Sequence, residues 1–286
     1  MILGQGRARA EFRGLAPVVG CGGDFLHRVS SVRLTILGCA GSFPGPNTAA
    51  SGYVIEADGF VLGLELGNGT LAELQGLRSP FDLDALVLSH LHPDHCADVS
   101  ALTVFRRYHP DPPYAVRPRR LPLYGPAETP ARLANAYAPH ESERVRTDLA
   151  DVYEFHTLKA GMVPIGPFEV TSFPMDHPTE AWGMRISSPT ATIAYTGDTG
   201  PCAALDDLTT GVDVLLSEAS WTDAPDRPPG VHLSGRQAGE LAVRAGAGRL
   251  LLTHVAPWTD HDAVLAEARE VFPDAELVRQ GAVYEI

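Results

Sequence analysis

The sequence predicts an α/β protein in which two β-sheets stack face to face and are covered by helices. Its 286 residues form two strand-rich halves, and helical segments are interleaved among the strands of each. Such a pattern is typical of sheets that are buried between layers of helices. No linker separates the halves, so residues 31–286 are predicted to be one domain. Residues 1–30 are rich in Gly and Arg without clear periodicity, and we expect a disordered leader there.

Alternating or continuous apolar runs, bounded by turn residues, predict the strands. An Asp58-Gly59 turn joins the second strand to the third, and Gly67 to Gly69 interrupt the chain before the first helix. Apolar residues at helical spacing, such as Val99, Leu102 and Phe105, predict the helices. The strands are predicted at residues 32–37, 51–56, 60–66, 85–89, 121–124, 152–156, 168–173, 183–186, 192–195, 212–216, 249–253 and 282–286. The helices are predicted at residues 70–77, 98–108, 130–137, 233–244 and 262–271.

Composition narrows the classes of function. The formal charge is -13 and the pI is near 5.2, so extensive nucleic-acid binding is disfavoured by long-range repulsion. A small anionic substrate stays compatible, because bound metal ions can reverse the local sign. The four cysteines lack CxxC spacing and are interpreted as reduced thiols. No apolar run is long enough to span a bilayer. We therefore expect a cytoplasmic protein, and leave a homodimer open.

One short stretch carries most of the chemistry. His90, His92, Asp94 and His95 lie within six residues, directly after an apolar strand. In an extended loop, His90 and His92 can turn their rings the same way, while Asp94 and His95 lie past the bend that Pro93 favours. Imidazole and carboxylate groups are the ligands that zinc prefers. Two pairs of ligands suit two adjacent metal ions better than one.

Further ligands are expected just past the ends of other strands. His177, Asp198 and His254 each follow an apolar strand, and strand ends gather at one edge of a layered sheet. These three residues can therefore converge on the histidine cluster although they are far apart in sequence.

In this order, the seven residues resemble the ligand set of the metallo-β-lactamase superfamily. The resemblance covers the chain from Val32 onward and implies a four-layer αβ/βα sandwich with two zinc ions, although manganese or iron suit the same ligands. It implies that Asp198 bridges the two metals. The implied ligands of one metal are His90, His92 and His177, and those of the other are Asp94, His95 and His254.

The branch of the superfamily is argued from individual residues. Antibiotic-hydrolysing members usually have Cys where this chain has Asp198. The stretches 217–221 and 231–234 resemble the phosphodiesterase and ribonuclease Z branch, in which an acidic residue orients an additional catalytic histidine. Here the resemblance implies a catalytic set of His232, Glu218 and Asp94. The alternative is that His232 only caps the following helix.

The number of residues between His177 and Asp198 then distinguishes members of that branch. The tRNA-processing enzymes carry a long arm between the positions of His177 and Asp198, whereas only 20 residues separate them here. The closer similarity is to actinobacterial, atypical class II-like cyclic nucleotide phosphodiesterases. The hypothesis is hydrolysis of a 3′,5′-cyclic nucleotide, cAMP foremost, to the 5′-monophosphate by a di-zinc-activated hydroxide, with His232 as the acid.

Three alternatives stay open at this point. One is a general phosphodiesterase or nuclease of the ribonuclease Z kind, and another is a thioester hydrolase of the glyoxalase II kind. The third is a non-catalytic metal-binding protein. Two local questions also stay open, namely whether the Gly-rich loop at residues 38–47 lines the site and whether the Arg-rich loop at 109–122 is solvated or forms a substrate rim. Glu65 stands where the family often has Asp, and Asp176 is one candidate partner for a ligand histidine.

Overall fold

Two seven-stranded sheets form the framework of the protein. The structure is a computed structural model that describes residues 31–286, so the predicted leader lies outside the described residues. The strands of the first sheet, in spatial order, are β14 (Val283–Glu285), β1 (Arg33–Gly38), β2 (Gly52–Ala57), β3 (Phe60–Leu64), β4 (Ala85–Val87), β5 (Leu121–Gly125) and β6 (Tyr153–Thr157). Those of the second sheet are β13 (Glu276–Leu277), β12 (Arg249–Thr253), β11 (Val214–Glu218), β10 (Thr192–Tyr195), β9 (Trp182–Ser187), β8 (Phe168–Pro174) and β7 (Gly161–Ile165).

Helices cover the outer face of each sheet. The helices of residues 31–286 are α1 (Thr70–Leu77), α2 (Pro93–Cys96), α3 (Val99–Tyr108), α4 (Thr129–Tyr137), α5 (Glu141–Arg144), α6 (Ala204–Thr209), α7 (Gly235–Ala245) and α8 (His261–Arg269), with a 3₁₀ turn at Pro80–Asp82. Side chains of α1, α3 and α4 pack on the first sheet, and those of α6, α7 and α8 pack on the second.

Strand periodicity explains the layers. Side chains of a strand point alternately to its two faces. In β1, Leu34 and Ile36 enter the core between the sheets, while Leu37 packs under the helices of the first sheet. In β11, Leu216 faces the other sheet and Leu215 faces helices. Both faces are buried, which accounts for the continuous apolar runs in the sequence. The predicted four-layer αβ/βα sandwich is confirmed.

The topology directs several strand ends to one edge. Strands β3 to β6 run parallel to one another, as do β10 to β12. Polar contacts join the sheets near this edge: the hydroxyls of Tyr53 and Thr253 lie 2.7 Å apart, and the Trp182 amide donates to the Ser89 carbonyl at 3.1 Å. The edge is therefore a fixed junction of both sheets.

Five short elements, β7, β13, α2, α5 and α6, lie outside the sequence prediction. The strand β7 was not predicted, because it contains Pro164 and is exposed along most of its length, as is typical of an edge strand. Helix α6 was also missed, since six residues are too few to show a helical period. Pro93 does more than bend the chain, because it begins the single-turn helix α2, where a missing N–H costs nothing.

The Arg-rich loop lies at the start of β5, at the opposite end of that strand from the junction. Arg119 pairs with Asp84 and Arg120 with Glu154, each at 3.6 Å. These local pairs favour the interpretation of a solvated loop over that of a substrate rim. Within residues 31–286, no helix has the length and apolar character needed to cross a membrane.

We expect Leu251→Ala to lower the free energy of unfolding by about 2–5 kcal/mol, because it opens a cavity between the sheets. Leu251 is fully buried there, whereas Leu77 is 58% exposed. Urea unfolding of both variants checks this, and Leu77→Ala, the same chemical change at the surface, should cost less than about 1 kcal/mol. Equal losses would contradict the assignment of this core.

Candidate metal centre

The histidine cluster follows β4 at the junction of the sheets. The strand ends at Val87, the chain bends at Ser89, and His92 is extended where α2 begins. The facing nitrogens of His90 (Nε2) and His92 (Nδ1) are 3.0 Å apart. Asp94 and His95 lie on α2 and turn to the other side. The loop thus presents its four polar side chains as two pairs.

Three other strands add one residue each. His177 follows β8, Asp198 follows β10 and His254 follows β12. One group consists of His90, His92, His177 and Asp198, and a second consists of Asp94, His95, Asp198 and His254. Within each group, one nitrogen or oxygen atom per residue lies within 4.8 Å of all the others. The structure therefore brings all seven predicted ligands together in two groups that share Asp198.

Contacts inside the two groups are close. In the first, Nε2 of His177 is 3.2 Å from Nδ1 of His92, and Nε2 of His90 is 3.6 Å from Asp198. In the second, Nε2 of His254 is 3.1 Å from Asp94 and 3.3 Å from Asp198. These side chains are held at the separations expected of groups that converge on a common partner.

Outer hydrogen bonds set the orientation of the rings. Nδ1 of His177 donates to the Val231 carbonyl at 3.1 Å, so its Nε2 faces the cluster as an acceptor. Nδ1 of His254 lies 3.0 Å from the Ser220 hydroxyl, and Nδ1 of His90 lies 3.0 Å from the Ser89 hydroxyl. Partners of this kind fix the tautomer and direction of metal-ligating histidines.

Burial and the neighbouring histidines shift the pKa values of the Asp94 and Asp198 carboxyls in opposite directions. Burial alone would raise the pKa of Asp94, but hydrogen bonds from His254 and His95 outweigh it and hold that pKa below its usual range. Burial likewise works to raise the pKa of Asp198, yet the adjoining His254, His95 and His90 keep it well below normal. Burial and the neighbouring His95 also lower the pKa of His90. Both carboxylates are thus ionised and His90 is neutral, the states in which such groups bind metals.

The chemistry of the donors fits divalent metal ions. Oδ1 of Asp198 is buried and receives no hydrogen bond, although Nε2 of His95 lies 3.3 Å away. Three pairs of imidazole nitrogens face each other at 3.0–3.2 Å, yet a neutral imidazole has only one N–H to donate. Cations between these atoms would satisfy the remaining lone pairs. The His/Asp cluster is therefore able to bind metal.

A second pair of residues adjoins the centre. Nδ1 of His232 lies 3.1 Å from Oε1 of Glu218, and the ring of His232 is 5.3 Å from that of His254 and 5.7 Å from that of His177, measured between centroids. Burial would lower the pKa of His232, but the Glu218 carboxylate outweighs it and raises the pKa to about 9.

Glu218 is a buried hub at the end of β11. Besides His232, it accepts hydrogen bonds from the Thr199 amide at 2.6 Å, the Ser220 hydroxyl at 2.9 Å and the Leu233 amide at 3.2 Å. Its carboxylate is thus fixed by these hydrogen bonds, and it fixes the imidazole of His232 in turn. The helix α7 is capped by Ser234, so His232 is not needed as the cap, and the alternative interpretation of His232 is disfavoured.

Close backbone packing supports His254 and the metal loop, which is the segment of residues 90–95. A Cβ on Gly41 would lie 2.3 Å from the His254 carbonyl oxygen, and one on Gly67 would lie 1.9 Å from that of Asp94. Glycine is therefore required at both positions. The Gly-rich loop also contributes directly, because the Ser42 amide donates to Asp94 at 2.7 Å.

Some supporting residues were not assigned from the sequence. The Glu65 carboxylate accepts from the Ser89 amide at 3.0 Å and lies 3.5 Å from Nδ1 of His95, so the longer side chain still reaches the site. Ser220 contacts both Glu218 and His254. Its position two residues after Glu218 is the only local sign of this role. Asp176 is not the partner of His177, since Val231 takes that place.

Comparisons with known proteins show what this chain is similar to. A model of the beta-lactamase superfamily domain matches residues 67–255. The Mycobacterium tuberculosis protein Rv1339 is 44% identical over 247 residues, which cover 85% of this chain and 88% of that protein. The probable metallo-hydrolase YhfI of Bacillus subtilis is 30% identical, over 89% of this chain and 100% of its own. Its crystal structure superposes with a TM-score of 0.76, over 90% of this chain and 100% of that chain. Ribonuclease BN of Escherichia coli is 28% identical, over 78% of this chain and 88% of its own.

We expect Asp198→Ala to reduce the metal content of the purified protein from about two ions per chain to less than one, because both groups lose their shared carboxylate. Elemental analysis of the folded variant measures this. Asp111→Ala, in an exposed loop, is the control and should keep its metal. Full metal content in Asp198→Ala would rule out a bridging role.

Proposed function

This chain belongs to the metallo-β-lactamase superfamily, and on that premise we propose that it is a two-metal phosphodiesterase. The proposed reaction is hydrolysis of a 3′,5′-cyclic nucleotide, with cAMP the expected substrate, to the 5′-monophosphate. The proposed ligands are His90, His92 and His177 for one ion, and Asp94, His95 and His254 for the other, with Asp198 between them. Zinc is the expected metal because imidazole and carboxylate donors suit it.

The observation that carries the proposal is the pairing of Glu218 with His232 beside the two metal groups. When bound, two zinc ions supply Lewis acidity, lowering the pKa of water and offsetting phosphate charge. The chain itself must then protonate the leaving oxygen. Glu218 occupies Nδ1 of His232, which leaves Nε2 for the substrate.

In the proposed step, water first releases a proton to the solvent, and the oxygen of the resulting hydroxide bonds to phosphorus while the bond from phosphorus to the 3′-oxygen breaks. His232 gives its proton to that oxygen, so the product leaves as an alcohol rather than an alkoxide. A positioned acid of this kind contributes about 10²–10⁴-fold. Asp94 contributes by holding His254, to which it is hydrogen-bonded.

Two observations favour a small substrate over a long nucleic acid. Residues 178–197 hold only β9, β10 and their connections, so there is no protruding arm between His177 and Asp198. The net charge of -13 opposes an extended phosphate backbone. A relationship to a protein named as a ribonuclease supports phosphodiesters as the bond class, which ranks the thioester alternative lower.

A substrate panel tests the proposal on the metal-loaded chain. We expect turnover of cAMP with higher kcat/KM than bis(p-nitrophenyl) phosphate, and no turnover of S-lactoylglutathione or pre-tRNA. Product analysis by chromatography should show 5′-AMP. Efficient hydrolysis of bis(p-nitrophenyl) phosphate with little of cAMP would support a general phosphodiesterase instead.

We expect His232→Ala to keep both metals and to lose about 10²–10⁴-fold in kcat, because only proton donation is removed. Parallel measurement of metal content and kcat checks this, with His140→Ala, at an exposed position, as the control. Glu218→Gln should fall between wild type and His232→Ala. Loss of the metals together with activity would move His232 to a structural role.

A further inference from the structure

A cavity of about 640 Å³ opens beside the metal centre. One wall is the metal loop, through Leu91, His92 and Pro93. The turn after β5, which contains Pro126, forms a second wall, and Arg132 of α4 reaches the cavity above it. The cavity therefore shares His92 with the first metal group.

The third wall of the cavity contains Glu180 and is hydrogen-bonded to the turn after β5. Glu180 lines the cavity, and its carboxylate accepts from the Ala127 amide at 3.3 Å and from the Trp182 indole at 3.0 Å. These bonds connect the segment after His177 with the turn after β5. The cavity is thus preformed and has the size of common small-molecule sites, about 300–1,000 Å³.

Arg132 differs from three arginines of this half of the chain in its ion pairing. Arg107, Arg119 and Arg120 each pair with a carboxylate. The half-buried Arg132 makes no ion pair with any residue in the described range 31–286, although it lines the cavity. Two carboxylates, those of Glu128 and Glu180, line the same cavity, and Glu180 is already hydrogen-bonded to Ala127 and Trp182. Since its guanidinium is engaged in no ion pair within the described range, Arg132 is the cationic donor that this cavity can offer a ligand.

We propose that this cavity binds the nucleoside part of the substrate and that Arg132 is its specificity-determining residue. The apolar side chains of Leu91, Pro93 and Pro126 line the cavity and can pack against the faces of a nucleobase. The guanidinium supplies N–H donors for ring nitrogen or oxygen acceptors. With phosphate at the metals, a nucleoside would extend past His92 into the cavity. This inference rests on the proposed function, since it presumes a nucleotide.

A rival position for the base lies on the other side of the centre. Phe43 and Trp258 pack with their ring centroids 4.6 Å apart, and they are 38% and 72% exposed. Their loops meet where the Gly41 amide donates to the Val255 carbonyl. Bases stack on such aromatic rings. The pair offers only an open apolar surface, whereas the cavity combines walls on several sides with a free donor.

Calorimetric titration of the metal-loaded chain with 5′-AMP, and separately with inorganic phosphate, tests the assignment without requiring turnover. We expect wild type to bind 5′-AMP at least about tenfold more tightly than phosphate. Arg132→Ala should lose about tenfold in affinity for 5′-AMP, the size of one hydrogen bond to a charged group, with less than about twofold change for phosphate. Arg144→Ala, on the exposed helix α5, is the matched control.

Three other outcomes overturn the proposal. Equal affinity of wild type for 5′-AMP and phosphate would mean that no nucleoside site exists. A parallel loss for both ligands in Arg132→Ala would make Arg132 a general anion contact. Loss of 5′-AMP affinity in Trp258→Ala but not in Arg132→Ala would place the base on the aromatic pair. Tight, Arg132-dependent binding of 5′-AMP without cAMP turnover would instead refute the proposed reaction and keep the cavity.

Discussion

The centre of this protein depends on a carboxylate that has been removed from water. Asp198 is 2% exposed and one of its oxygens lacks a hydrogen bond, a costly state unless charge is compensated nearby. The imidazoles of His90, His95 and His254 surround it and keep it ionised. Removing that carboxylate would leave the neighbouring rings without the charge that holds them together. The two groups of potential ligands exist as one centre because they share this residue.

The sandwich meets this constraint through its strand ends. Strands β4, β8, β10 and β12 deliver the side chains from two different sheets. The outer nitrogens of His90, His177 and His254 each lie against a carbonyl or hydroxyl group. Glu218 continues this hydrogen-bond network beyond the seven potential ligands. Its two carboxylate oxygens accept hydrogen bonds from His232, Ser220 and two backbone amides. The acid and the ligand His254 are thereby oriented by one common network.

Sequence reasoning located the cluster and most strands because both have local signals. A histidine-rich loop after an apolar run can be recognised from a short stretch of sequence. The ends of β8, β10 and β12 are each followed by a His or Asp that contrasts with the apolar strand before it. The exposed edge strand β7 and the six-residue α6 lack such signals. The contacts of Glu65 and Ser220 depend on residues that are 24 to 34 positions away, and nothing in their local pattern encodes that distance. The position of Arg132 at the cavity is likewise created only by tertiary packing.

The order of the ligands along the chain has a consequence for biosynthesis. Asp94 and His254 are 160 residues apart, and β14 pairs with β1 at the opposite ends of the described chain. Contacts between such distant residues form slowly, because a long loop must close first. An emerging chain presents His90 to His95 long before β12 is made, so an ion bound early would have an incomplete set of partners. Correct metal loading must therefore follow near-complete synthesis, when both sheets are able to close on each other.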